Sequence, residues 1–182
     1  MLIKIREALR QFGTDEVDHF GRPLTEHLLG TSRWLADWGN SAAVSMAGAF
    51  HSIYGTEEFK AKTLPLERRM DVRTLIGAQA EELVYLFCAA DRKAFFEQPD
   101  AGPFEVLFPS QGRRSEIGRS TFSALLEIEA ANIVDAALHQ PAAPAWAAPW
   151  WLARFESKAI FLSEGARVDC RKVLTSRRHS RN

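Results

Sequence analysis

His27 and His51 are the two residues of this chain whose settings ask for a chemical explanation. His27 shares a helical face with Leu24, Leu28 and Trp34, and His51 shares one with Val44, Ala47 and Tyr54. A buried imidazole must find partners for both ring nitrogens, so each stands where an apolar side chain would cost less. Either one alone suits a satisfied core histidine. Two imidazoles converging from adjacent helices make half of a metal site, without naming the metal. Other chemistry-bearing groups are more ordinary. Gly112-Arg113-Arg114-Ser115 could grip an anionic substrate or be an exposed basic loop. Arg68, Arg69, Glu81, Glu82 and Asp91 read as solvated helix surface. A phosphate-binding glycine loop, a Cys-x-x-Cys pair and a nucleophile elbow are all missing.

The elements that must carry these residues are helical. Leu2, Ile5, Leu9 and Phe12 mark a first helix ended by Gly13. Pro23 suits the first turn of a second helix running to Trp38, and Ser41 can cap a third, AAVSMAGAFHSIY. Its small residues allow close helix approach, so a central position is expected. Pro65 opens a fourth helix. Gly77 separates it from a fifth, expected over AQAEELVYLFCAADRKAFF. Residues 98–118, rich in Pro and Gly, read as a mobile loop bordering the site, with one short extended stretch at Phe104–Phe108. Arg119–His139 is a sixth helix. A Pro/Ala linker, PAAPAWAAP, precedes two more, and Trp146, Trp150 and Trp151 would pin it down. Nothing alternates with strand period over a useful length. The expected class is all-α, one multi-helix domain over residues 1–176 with a basic tail at 177–182.

Bulk properties narrow the function. Lys plus Arg number 23 and Asp plus Glu 23 in 182 residues, so no global field favours nucleic acid or an anionic membrane. Arg171, Lys172, Arg177, Arg178 and Arg181 crowd the C-terminal end, as a solvated tail or an anion-binding one. Cys88 and Cys170 do not make a disulfide framework, which fits a reducing, cytoplasmic compartment. The opening MLIKIREALRQF reads as an amphipathic helix, not a leader, and no apolar run is long enough to span a bilayer.

The order of residues resembles an HD domain, and specifically the hydrolase domain of bacterial alarmone (guanosine tetraphosphate) hydrolases. Gly21-Arg22-Pro23-Leu24-Thr25-Glu26-His27 is similar to that family's Gly-x-Pro-x-x-x-His motif, which holds its first metal histidine. Ala47-Gly48-Ala49-Phe50-His51-Ser52 resembles its Ala-x-Leu-Leu-His-Asp helix, and the separation of 24 positions between the histidines suits it. Ile76-Gly77 followed by Leu83-Val84 resembles its Phe-Gly-x-x-x-x-x-Leu-Val segment, and Ala131-Asn132-Ile133-Val134 its Ala-Asp-x-Leu helix. The resemblance implies an HD-like fold, phosphohydrolase-like chemistry and a metal on His27, His51 and the position of Asn132. The departures are chemical. Ser52 stands where the family has Asp, Gly55-Thr56 replaces its acid pair, and Asn132 replaces its last aspartate. Glu129, three residues before Asn132, could restore one carboxylate.

Three functions follow from this ligand set. One is a metal-dependent enzyme acting on a small, phosphorylated or unphosphorylated, metabolite. It would use Zn, Fe or Ni in preference to Mn or Mg, because hard ions need the missing carboxylates. Ser52, Tyr54 and Glu129 would be its catalytic groups, and Arg113 and Arg114 would bind substrate. The second is a metal-free pseudoenzyme, with His27, His51, Ser52, Tyr54 and Asn132 as a neutral ligand pocket. The third is a helical interaction protein whose histidines are structural.

Overall fold

Apolar residues recurring at helical spacing produce most of the observed elements. The computed structural model describes residues 2–56, 59, 61, 63–140 and 147–176. Among them run eight α-helices: Leu2–Gln11 (α1), Leu24–Asp37 (α2), Ala42–Gly48 (α3), Arg69–Ile76 (α4), Ala78–Ala89 (α5), Arg119–His139 (α6), Ala147–Ser157 (α7) and Glu164–Ser176 (α8). Local chemistry sets their ends. Gly13 closes α1 in the left-handed region at φ 79°, and the Ser41 hydroxyl accepts from the Val44 amide at the start of α3. The basic segment 177–182 and Trp146 lie outside the described residues.

The fold is mainly helical, and the all-α expectation needs one correction. Phe104–Phe108 (β1) and Arg113–Ile117 (β2) pair antiparallel, with Phe104 opposite Ile117 and Phe108 opposite Arg113. The extended stretch expected at Phe104–Phe108 is thus one strand of a hairpin, whose second strand the Pro and Gly content of residues 98–118 hid. Period-two burial marks the first strand: Phe104, Val106 and Phe108 face inward while Glu105 and Leu107 are less buried. Phe104 stacks on Phe122 of α6 at 4.5 Å and so ties the hairpin to the core.

Helix α6 is the centre of the molecule, packing against α2, α3, α5 and α8. Its 21 residues bury nearly every face through residue 131, including Phe122, Leu125, Leu126 and Ile128. Each such large side chain contributes about 1.5–3 kcal/mol of burial. Helix α3 is shorter than its small-residue run suggested. Regular helix stops at Gly48, and residues 49–54 continue as tighter turns. Leu35 of α2 fills the space a Cβ on Gly48 would need, so α2 and α3 approach closely there. The fifth helix likewise ends at Ala89, where the chain bends to let the Asp91 amide donate to the Leu107 carbonyl of β1. No helix among the described residues is long and apolar enough to cross a membrane.

Candidate functional site

His27 on α2, His51 just beyond α3 and Asn132 on α6 meet at one point. His27 Nε2 lies 3.3 Å from His51 Nε2 and 3.0 Å from Asn132 Oδ1. The opposite ring nitrogens are already committed. His51 Nδ1 donates to the Gly48 carbonyl at 2.8 Å. That carbonyl can only accept, so the proton sits on Nδ1. Burial, followed by the neighbouring His27, holds the His51 pKa well below its ordinary 6.5, so the ring is neutral and Nε2 is a bare lone pair. His27 Nδ1 donates to Asp135 Oδ2 at 2.7 Å. The Asn132 amide donates through Nδ2 to Glu129 Oε2 at 3.2 Å, which turns Oδ1 toward the histidines. Acceptors therefore face one another, and a proton on His27 Nε2 could meet only one of the other two.

Asp135 was not singled out in the sequence, and it organises this geometry. It is 2% exposed, and Arg22 Nη2 donates to the same Oδ2 that holds His27. A side chain on Gly30, one turn after His27, would collide with Asp135 Oδ1. Gly30 is thus the notch in α2 that admits the carboxylate. The available signal was the spacing Asn132–Asp135, three residues apart on one helix, read together with a glycine inside an otherwise regular helix.

The point of convergence opens on a cavity of about 340 Å³. Ser52 lines it beside the histidines and Asn132, and its Oγ is buried without a hydrogen-bond partner. Phe20, Phe59, Phe87, Ile133 and Ala136 give it apolar walls. His19 also lines it, stacked on His27 at 4.2 Å, with Nε2 buried and unpartnered. Burial, then His27 and Arg22, pushes the His19 pKa down to about 3, so this ring is neutral too.

Other expected site residues are elsewhere. Tyr54 does not line the cavity; its hydroxyl donates to Glu81 Oε1 at 3.1 Å. Glu81, expected at the surface, is 1% exposed and accepts from Arg69 through both oxygens, at 2.6 and 2.8 Å. Glu129 is fully buried, holds Arg92 at 3.1 Å as well as Asn132, and does not line the cavity. It orients the amide. Arg113 and Arg114 lie on exposed β2, away from the cavity lining. Arg113 stacks over Phe108 at 4.1 Å and Arg114 pairs with Glu105 at 3.3 Å, because strand pairing sets their directions. No residue of 98–118 lines the cavity.

Residues 8–92 are similar to a family described as a domain of unknown function (DUF6817). The matched stretch carries His19, His27, His51, Ser52 and Arg92, while α6 with Asn132 and Asp135 lies beyond it. No curated protein and no solved structure matches the chain.

The residues present can be tested for fit to a divalent ion. Among the described residues, no three His, Cys, Asp or Glu side chains gather as a metal site. Two imidazoles and an amide oxygen do gather. Metal–nitrogen bonds of about 2.0–2.1 Å place neighbouring ligand atoms about 3.0–3.4 Å apart. The observed 3.3 and 3.0 Å match that edge length. The donor set fits a borderline ion and not a hard one.

Proposed function

We propose that this chain is an HD-like metal-dependent enzyme with a reduced ligand set, acting on a small metabolite in the cavity beside His27, His51 and Asn132. The supporting observation is the convergence of acceptors: His51 Nε2 and Asn132 Oδ1 both face His27 Nε2, with each far-side polar atom already bonded. Buried acceptors need a donor or a cation between them, and one proton on His27 Nε2 can serve only one of these two. Asp135 fixes the tautomer and ring angle of His27, the carboxylate–histidine arrangement that supports metal ligands. The Gly48 carbonyl does the same for His51, and Glu129 for Asn132. A bound divalent ion would polarise an oxygen of the ligand and lower the cost of attack on the atom bearing it. Apolar walls line one side of the cavity, and Ser52 Oγ is free to hydrogen-bond the ligand.

The test is metal content and titration of purified protein. Zn²⁺, Ni²⁺ or Fe²⁺ is expected to bind one per chain and to raise Tm, with Mn²⁺ and Mg²⁺ far weaker, and His27→Ala is expected to abolish binding. Mn²⁺-dependent guanosine tetraphosphate turnover is expected to be weak or absent. Tight Mn²⁺ binding would show that a carboxylate completes the site. If no ion binds and metabolites still shift Tm, the metal-free pocket is the right function.

A further inference from the structure

The tip of the loop before α2 is strained. Asp18 pairs with Pro23, and the His19 amide donates to the Arg22 carbonyl at 2.8 Å. The two residues between, Phe20 and Gly21, have φ of 58° and 79°. This is a primed two-residue turn, whose central positions favour Asn and Gly. Phe is a poor choice there, because a left-handed backbone brings its Cβ against the carbonyl oxygen. Phe20 is also 40% exposed, so burial does not compensate for the strain. What its ring does is line the cavity and pack on His19 at 4.2 Å. Phe59 packs edge-on against His19 at 5.1 Å. Strain held at a cavity edge by an apolar ring points to a ligand contact.

Charge around the cavity says what kind of ligand. Among the described residues, two arginines lie near it, and both are ion-paired: Arg22 with Asp135 and Arg92 with Glu129. Asp18 adds an acid to the lining. A ligand carrying several negative charges would need charge-assisted donors to replace its hydration, and Arg113 and Arg114 are elsewhere.

We propose that the cavity selects a flat, largely apolar small molecule with at most one negative charge, its ring against Phe20, Phe59 and His19 and one oxygen donor toward His27, His51 and Asn132. The polar half of this proposal rests on the metal reading above; the ring half stands on the aromatic wall alone. Ser52 Oγ and His19 Nε2, both buried without partners, are two further hydrogen-bonding points for such a ligand.

Three probes separate the alternatives on the zinc-loaded full chain, by calorimetry or ligand-observed NMR. Benzoate has a ring and one charge, acetate lacks the ring, and phenyl phosphate keeps the ring with a second charge. Burial of the ring should make benzoate bind about tenfold or more tighter than acetate. Phenyl phosphate should bind no tighter than benzoate. Phe20→Asn should remove most of the benzoate advantage, leave acetate unchanged, and leave Tm level or higher, since Asn suits the turn. A purely structural Phe20 would instead lower Tm on replacement. Equal binding of benzoate and acetate, tighter binding of phenyl phosphate, or no binding of any probe would overturn the proposal. If zinc is not taken up, the metal reading has failed by itself. Benzamide against acetamide on the zinc-free protein then reads the ring preference: a clear advantage for benzamide upholds it, and parity overturns it.

Discussion

Two buried polar clusters flank residues 51–54, and they are built on opposite rules. Tyr54, Glu81 and Arg69 form one. Arg69 gives two N–H donors to Glu81, at 2.6 and 2.8 Å, and Tyr54 adds its hydroxyl at 3.1 Å. Donors meet acceptors throughout. His27, His51 and Asn132 form the other, and there two acceptors, His51 Nε2 and Asn132 Oδ1, crowd one ring nitrogen of His27 at 3.3 and 3.0 Å. A fold needs only the first kind, since a satisfied network rigidifies the core. The second kind carries a cost in the protein alone and suits a bound cation. Burial alone does not mark a site; the mismatch of hydrogen-bonding roles does.

The largest contrast should come from breaking the satisfied cluster. Glu81→Ala leaves the Arg69 guanidinium and the Tyr54 hydroxyl without their common partner, at a cost of about 3 kcal/mol. Urea denaturation should show that loss, while zinc affinity stays within error. Loss of zinc binding in a still folded variant would mean that the two clusters are coupled, contrary to the comparison. Asp135→Asn addresses the other side. It removes the carboxylate that fixes His27, and zinc affinity should fall about 10–100-fold in a competition titration. Gly30→Ala should act in the same direction without touching a polar atom, because its methyl group occupies the space of Asp135 Oδ1. Its stability cost should be about 1–3 kcal/mol. Unchanged zinc affinity in Gly30→Ala would show that His27 holds its orientation without Asp135.

The two clusters were also unequally legible in the sequence. Period-3.6 patterning and caps were enough for the helices, from Gly13 through Pro23 and Ser41 to the full length of α6. The pairing of the site histidines was visible for the same reason, since both break apolar faces, although His51 sits in the turns after Gly48 and not in regular helix. Of the hairpin only β1 was legible, as the extended stretch at Phe104–Phe108; β2 was not, because it is five residues long and almost wholly polar, Arg-Arg-Ser-Glu-Ile. Charges misled in both directions. Glu81, read as surface, is buried through pairing with Arg69, and Asp135, on which the sequence was silent, through Arg22 and His27, partners that only tertiary contact reveals. Arg113 and Arg114, read as substrate-binding, are exposed and paired within the hairpin. Tyr54 and Glu129 lie off the cavity lining for a similar reason. Helical spacing places a side chain on a face, and the lone pair it meets there is decided by the neighbouring helix.

Acid should separate the clusters with the smallest effect. Burial above all holds His51 well below 6.5 and His19 down to about 3 in the folded metal-free protein. Both regain the ordinary value of about 6.5 on unfolding. As pH falls from 7.5 to 5, the unfolded chain takes up protons that the folded chain refuses. Stability present above about pH 6.5 is therefore lost on acidification. For fully buried His51 the slope approaches about 1.4 kcal/mol per pH unit below 6.5. His51→Gln should flatten the acid limb by roughly that amount, and His19→Gln by less, since His19 is only partly buried. The Tyr54 cluster should leave this window alone, because burial and Glu81 push the Tyr54 pKa further above 10. Zinc loading should steepen the limb, as protons must displace the ion from both imidazoles. Urea midpoints at half-unit pH steps, with and without zinc, measure all of these. An acid limb unchanged by His51→Gln would mean that the folded ring already carries the proton. His51 Nε2 would then be a donor, and the mismatch that distinguishes the two clusters would vanish.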